Sequence, residues 1–239
     1  MFADLPPLDL LARQSDWLAP ARARLLRRLG VAHRRRVLDL GAGYGVVTAE
    51  LARRSDGLVV ALDRREMALR AAAPIAGAAR VAGDGGRLPF AAGAFDLVFS
   101  QLVWLWLPLA EALPEVWRVL APGGALVALE PDYGGLIEHP PAVAVGEVWR
   151  AALARAGGDA LVGRKMPALL AAQGFIVQVD LFPTLSPPAA ARFDLLRGLP
   201  LTSLERQVVD KADTASVHLR GVWEQVVHLP FFLITAVRP

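Results

Sequence analysis

"VLDLGAGYGVVTAEL", Val37 to Leu51, runs an apolar stretch into Gly41, Gly43 and Gly45 and then at once becomes amphipathic. A short apolar run ended by glycine reads as a buried strand. Leu51 follows Val47 by four residues, the spacing of a core-facing helical stripe. The stretch therefore predicts strand, glycine turn and helix in immediate succession. In open α/β sheets that junction is where ligands bind, because unpaired amides and the helix dipole converge at the strand's carboxyl end. Glycine there lets a ligand approach the backbone with no Cβ in the way. The bland alternative is a tight turn with nothing bound.

Outward from this junction, strand-type runs recur at Val37–Leu40, Leu58–Leu62, Ala79–Ala82, Phe95–Phe99 and Ala125–Leu129, with helix-type segments between them. Strands alternating with helices imply right-handed crossovers and a parallel sheet covered on both faces, so the fold class is α/β. A helix over Leu109–Leu120 should stop at "APGG", where Pro122 cannot continue it. Before the first strand, Trp17–Leu29 reads as an amphipathic helix with Ser15 or Asp16 as its cap. After the fifth strand come helices near Val143–Ala156 and Lys165–Gln173, a sixth strand over Phe175–Phe182 and a seventh over Phe231–Pro239. Residues 187–228 read as mostly helical, interrupted at Gly198–Pro200. The whole is expected to be one domain over 1–239: a helical cover in 1–30, a core in 35–131, and a substrate or lid region with the last strands in 132–239.

Composition sets the bounds. Hydrophobic residues make up 54% of the 239 and charged residues 21%, a globular profile with enough apolar area for one sizeable core. The longest apolar run, Leu102–Ala110, is far shorter than the ~20 residues of a membrane span. Asp4 and Asp9 stand where a signal peptide would carry basic residues, so a cytoplasmic location is expected. The absence of cysteine excludes disulfides, thiolate nucleophiles and sulfur-ligated zinc, and no metal site is expected. The net charge of +3 hides an uneven distribution: residues 1–87 carry 15 Arg against 9 acids. Arg27, Arg28 and Arg34–Arg36 could meet phosphates, but no aromatics interleave them to stack bases, and a solvated face is the simpler reading.

The glycines are spaced G-x-G-x-G, whereas the dinucleotide fingerprint is G-x-G-x-x-G. Asp63 closes the second strand 22 residues beyond Gly41, where a carboxylate can accept from both hydroxyls of a ribose. That suits any adenosine ligand, NAD included, and pairing with Arg64 or Arg65 is the structural alternative. A short-chain dehydrogenase would need Tyr-x-x-x-Lys, and Tyr44 and Tyr133 are followed at that spacing by Thr48 and Ile137.

"VLDLGAGYGVVTAEL", "ALDRR", "VAGDGGRLPFAAGAFDLVFSQLVWLWLP" and "VLAPGGALVALEP" together resemble the class I S-adenosylmethionine-dependent methyltransferases, over roughly Val37 to Pro131. "VGRKMPALLAAQGF" and the closing "AVRP" are similar to the small-molecule branch related to ubiquinone and menaquinone methyltransferases. The resemblance implies a seven-stranded, mostly parallel Rossmann-like sheet with an antiparallel last strand and a helical lid. It also implies S-adenosylmethionine as cofactor and in-line methyl transfer to a small-molecule acceptor. Gly41, Ala42 and Gly43 would pass under the methionine and ribose, Asp63 would bind the ribose diol, and Arg64 would lie beside the adenine. Asp84 and Gly85 would meet the adenine ring edge, although Asp84 could instead cap a glycine-rich turn. Ser100 and Gln101 would face the methionine end.

An activated methyl donor demands alignment and exclusion of water more than acid-base machinery. Glu130, Asp132, Tyr133 and His139 follow the fifth strand and include the candidate bases, Glu130 and His139 foremost. Where the family commonly has histidines before "LP", this chain has Leu105 and Trp106. Trp104 and Trp106, with Tyr133, are candidates for an aromatic substrate wall, against plain packing on the sheet. Two other functions stay open: a non-catalytic cofactor-binding sensor or scaffold, and RNA methylation. DNA amino-methylation lacks its Pro-Pro-aromatic signature at residues 100–103, and cytosine C5 methylation lacks a cysteine. The oligomeric state is not legible.

Overall fold

The structure, a computed structural model, describes residues 5–71, 73–182, 185, 191–219, 221 and 223–239. In chain order the elements are α1 (Leu8–Arg28), β1 (Arg36–Leu40), α2 (Val46–Arg54), β2 (Leu58–Asp63), α3 (Glu66–Ala71) and β3 (Ala78–Ala82). Then follow β4 (Phe95–Gln101), α4 (Leu109–Val119), β5 (Leu120–Pro131), β6 (Ile137–His139), α5 (Gly146–Arg155) and α6 (Val162–Ala172). The chain ends with β7 (Ile176–Leu181), α7 (Ala191–Arg197), α8 (Ser203–His218), β8 (Val226–His228) and β9 (Phe231–Val237).

Seven strands form one sheet in the order β3-β2-β1-β4-β5-β9-β7. The first five are mutually parallel, and β9 alone runs antiparallel to both its neighbours, β5 and β7. This is the architecture anticipated from the strand-helix alternation and the family resemblance. Period-two alternation sends successive side chains to opposite faces. Val37, Val59, Leu97, Phe99, Val127 and Leu129 pack with Leu18 and Leu25 of α1 and Leu51 of α2. Leu38, Val60, Val98, Leu126 and Ala128 pack on the other face with Val116, Trp149 and Met166 from α4, α5 and α6. The central strands are covered on both faces, as parallel strands require, while the edge strands β3 and β7 are largely exposed.

Several boundaries differ from expectation. Helix α1 begins at Leu8, two turns before Trp17, and Ser15 is a buried mid-helix residue rather than a cap. No breaker separates Leu8 from Trp17, and Leu10 already lies on the buried stripe that continues through Leu18, Leu25 and Leu26. Helix α4 ends at Val119, and Leu120 already pairs with Phe95; Gly123, at φ 74°, absorbs the "APGG" turn. Val226–His228, expected within a helical region, is instead a strand that pairs antiparallel with Ile137–His139. Positions 187–190, 220 and 222 of that expected region lie outside the described residues, as does Asp4. The remainder supplies α7 and α8, the latter opened by a capping box between Thr202 and Glu205. Phe193, Leu196 and Val209 from these helices are fully buried in the main core, so the segment is fastened to the rest of the domain. No helix among the described residues is long and apolar enough to cross a membrane.

Candidate functional site

Because β1 to β5 are parallel, the segments after Leu40, Asp63, Ala82, Gln101 and Pro131 all emerge at one carboxyl edge. That edge collects the candidate cofactor and substrate residues, whereas the candidate base His139 is exposed in the β6–β8 ribbon. Gly41, Gly43 and Gly45 all have positive φ, at 74°, 52° and 76°, a region only glycine enters freely. The amides of Gly41 and Ala42 both donate to the Leu62 carbonyl, at 2.8 and 3.0 Å, so the loop folds over the end of β2. Gly45 then opens α2 with no side-chain cap, leaving that helix's first-turn amides directed at the same edge.

Asp63 is buried beside this loop. Its Oδ2 accepts from the Gly43 amide at 2.9 Å and its Oδ1 from the Arg65 amide at 2.8 Å. A carboxylate offers about four lone-pair positions, so two remain for further donors such as a diol. Arg64 is exposed next to it. Asp84 is exposed and accepts from the Gly86 amide at 2.9 Å, so it does cap its own turn; Gly85 beneath it is buried.

Ser100 and Gln101 point to opposite faces of the sheet, as neighbours on a strand must. Ser100 is buried under Trp104, whose indole N–H donates to its hydroxyl at 2.8 Å. Trp104 has no exposed surface and packs as core, whereas Trp106 is half-buried against Gly158. Tyr133 is buried and stacked on Trp149, with ring centroids 5.0 Å apart; burial, and then the nearby Glu130, hold its phenol above the usual range. Asp132 is paired to Arg164 at 2.6 Å. Glu130 is fully buried, and burial pushes its carboxyl up to about 8 against the opposing pull of the Val103, Trp104 and Leu105 amides.

A polar network on the α1 face was not anticipated. Arg22, with 4% of its side chain exposed, donates to Glu50 at 2.7 Å, to the Ser15 carbonyl at 3.0 Å and to Gln101 Oε1 at 2.8 Å. Glu50 is held from its other side by Arg54 at 2.8 Å. Beside them Asp39 accepts from the Thr48 hydroxyl at 2.5 Å. Burial raises Asp39 to about 7, opposed by Thr48 and Arg22 and reinforced by Asp63. The signals were present: an arginine on the apolar stripe of α1, and an aspartate inside an aliphatic strand. Of the two, Arg22 fixes the orientation of Gln101 at the site's edge.

The basic cluster lies elsewhere. Arg34 and Arg35 precede β1 and Arg36 opens it, at the opposite, amino edge, where Arg34 donates to the Asp96 carbonyl and the Arg35 and Arg36 amides donate to the Asp96 carboxylate. Arg28 is paired with Asp180 at 2.7 Å. Among the described residues no cluster of metal-ligating side chains occurs.

This arrangement has clear relatives. Residues 38–128 match the model of a methyltransferase domain family. The trans-aconitate 2-methyltransferase of Methylobacterium radiotolerans is 32% identical over 223 residues, covering 88% of this chain and 76% of that protein. The demethylmenaquinone methyltransferase of Beutenbergia cavernae is 41% identical over 124 residues, covering 48% and 51%. The chain spans 41% of the length of several other curated relatives. Among solved structures, the geranyl diphosphate C-methyltransferase of Streptomyces coelicolor A3(2) superposes with a TM-score of 0.57 at 16% identity, covering 92% of this chain and 77% of that one. Glycine loop, acidic strand end, strand order and near full-length kinship with a methyltransferase agree, and the chain belongs to the class I S-adenosylmethionine-dependent methyltransferases.

Proposed function

We propose that the protein transfers a methyl group from S-adenosylmethionine to a small-molecule acceptor by in-line displacement at the carboxyl edge of β1, β4 and β5. The observation that carries this is the buried Asp63 beside the Gly41–Gly45 loop: a carboxylate with spare acceptor capacity, bonded to the Gly43 amide, next to a turn whose three glycines all take positive φ. In this reading Gly41, Ala42 and Gly43 carry the methionine and ribose portion, and Asp63 accepts from the ribose hydroxyls. Arg64, Asp84 and Gly85 border the adenine, and Ser100 and Gln101 border the methionine end, with Gln101 oriented by Arg22. Bound S-adenosylmethionine supplies an electrophilic methyl on a positively charged sulfur. The chain's own task is then to orient the acceptor, exclude water and avoid competing nucleophiles, and the side chains packed over Gly41 and Gly85, Val103 and Leu107, are apolar. The region after β5, together with α1, is the substrate-selecting cover, with Tyr133 as an aromatic member and Trp106, from the segment after β4, packed against Gly158 of that region.

The acceptor is a small molecule rather than RNA, because the arginine cluster sits at the amino edge and is bonded to Asp96, away from the glycine loops. The test is calorimetry of the full chain with S-adenosylmethionine and with NAD, followed by incubation with trans-aconitate, quinones, phenols and amines and mass detection of an added methyl group. Binding of S-adenosylmethionine with methylation of one acceptor class supports the reading. Binding without methylation of any acceptor favours a sensor or scaffold, and binding of NAD alone overturns it.

A further inference from the structure

After Gln101 the backbone turns left-handed at Leu102, φ 60°, the one non-glycine residue with positive φ among the described residues. Branched side chains rarely occupy that region, and persist there when surrounding contacts enforce it. The Leu102 amide donates to the Leu129 carbonyl at 3.0 Å, and residues 103–107 then run back across the carboxyl edge as a strap. Its two ends sit on the two glycine loops. Val103 fills the space over Gly41, where a Cβ would lie 2.5 Å from its Cγ2, and Leu107 fills the space over Gly85, where a Cβ would lie 2.9 Å from its Cδ2.

One buried side chain holds this strap. Glu130 Oε1 accepts from the Val103 amide at 2.9 Å and the Trp104 amide at 3.1 Å, and the Leu105 amide also bonds the carboxyl. These amides open the short 3-10 helix Trp104–Trp106, which has no side-chain cap of its own. The other oxygen, Oε2, is buried and has no hydrogen-bond partner. A base must reach the proton that it removes, whereas this carboxyl is enclosed beneath the strap and turned toward its backbone.

We propose that Glu130 is a positioning residue, the latch that holds the Leu102–Leu107 strap down on both glycine loops, and that it takes no proton from the methyl acceptor. What the strap covers rests on the methyltransferase reading; the latch is a property of the free chain. A carbonyl oxygen can accept the same amide bonds as a carboxylate oxygen, so glutamine can serve as latch but not as base.

Amide hydrogen exchange on the free full-length chain tests the latch directly, in the natural protein, Glu130→Gln and Glu130→Ala. The amides of Val103, Trp104 and Leu105 should exchange as slowly as those of β4 and β5 in the first two. In Glu130→Ala they should exchange at least about tenfold faster, with the strands unchanged. Calorimetry should show S-adenosylmethionine affinity falling about tenfold in Glu130→Ala and staying within about threefold in Glu130→Gln, which keeps most of its turnover. The proposal is overturned if the strap amides of the natural protein exchange like an exposed loop, or if Glu130→Ala leaves them slow. It is equally overturned if Glu130→Gln binds the cofactor normally but has lost turnover, the signature of a base. Should Glu130→Ala fail to fold, the natural protein and Glu130→Gln decide by their exchange alone. Failure of the natural protein to bind S-adenosylmethionine would strike the functional reading and leave the exchange test of the latch intact.

Discussion

Replacing Asp39 by asparagine should change how the protein's stability depends on pH. Asp39 is buried within β1, and burial raises its carboxyl from 3.8 to about 7 despite the Thr48 hydroxyl at 2.5 Å. A carboxyl whose folded value lies above its unfolded value stays protonated in the native protein while it ionises in the unfolded chain. Its contribution to stability is fully present below pH ~4 and is lost as pH rises to about 7. At about 1.4 kcal/mol per pKa unit, the loss is on the order of 4 kcal/mol by pH ~8. Asparagine has the shape of the protonated acid, keeps an oxygen for Thr48 and does not titrate. Urea unfolding across this range should therefore show the two proteins within about 1 kcal/mol near pH 4 and Asp39→Asn the more stable by ~3–4 kcal/mol near pH 8. The variant should still lose some stability toward pH ~8, because Glu130, raised from 4.5 to about 8 by burial, keeps the same sign of dependence. A constant offset between the two curves, or the natural protein gaining on the variant as pH rises, would refute the reasoning.

Three further outcomes follow from the same geometry. Asp63→Asn keeps the shape but replaces an acceptor oxygen with a donor. It should weaken S-adenosylmethionine binding about 10- to 100-fold by calorimetry, the loss of charge-assisted bonds worth ~1.5–3 kcal/mol. Gly41→Ala puts a methyl at positive φ and against Val103, so chemical denaturation should show a loss of about 2 kcal/mol or more, part of which Val103→Ala restores in the double variant. Arg22→Met leaves Glu50 buried with only Arg54 opposite it and should cost about 3–5 kcal/mol, while adding Glu50→Leu should recover most of that.

Much of the fold was legible because its signals are local. Strands β2, β4, β5 and β9 of the large sheet each carry an apolar run, and "GAGYG" marked a junction where strand end and helix start had to meet. The ribbon of β6 and β8 was not legible: each strand has three residues, too few to show a period, and Val226–His228 has no partner nearer in sequence than His139. The start of α1 was missed because Ser15 and Asp16 have cap chemistry, yet tertiary burial of Leu10 and the Ser15–Arg22 bond override it. The candidate residues tied to a strand end lie at one edge, since topology alone carries them there. What their side chains do was hidden. Trp104 is buried and bonded to Ser100, and Glu130 faces backbone amides, because both depend on a turn at Leu102 that no sequence pattern announces.

The central claim is that the Gly41–Gly45 loop and Asp63 seat S-adenosylmethionine. Titration calorimetry of the natural protein against Asp63→Asn, with S-adenosylmethionine in one series and NAD in the other, tests it most directly. The account predicts saturable binding of S-adenosylmethionine to the natural protein, weakened in the variant, and no heat from NAD in either. Equal affinity of both proteins for S-adenosylmethionine, or saturable binding of NAD with none of S-adenosylmethionine, would contradict it.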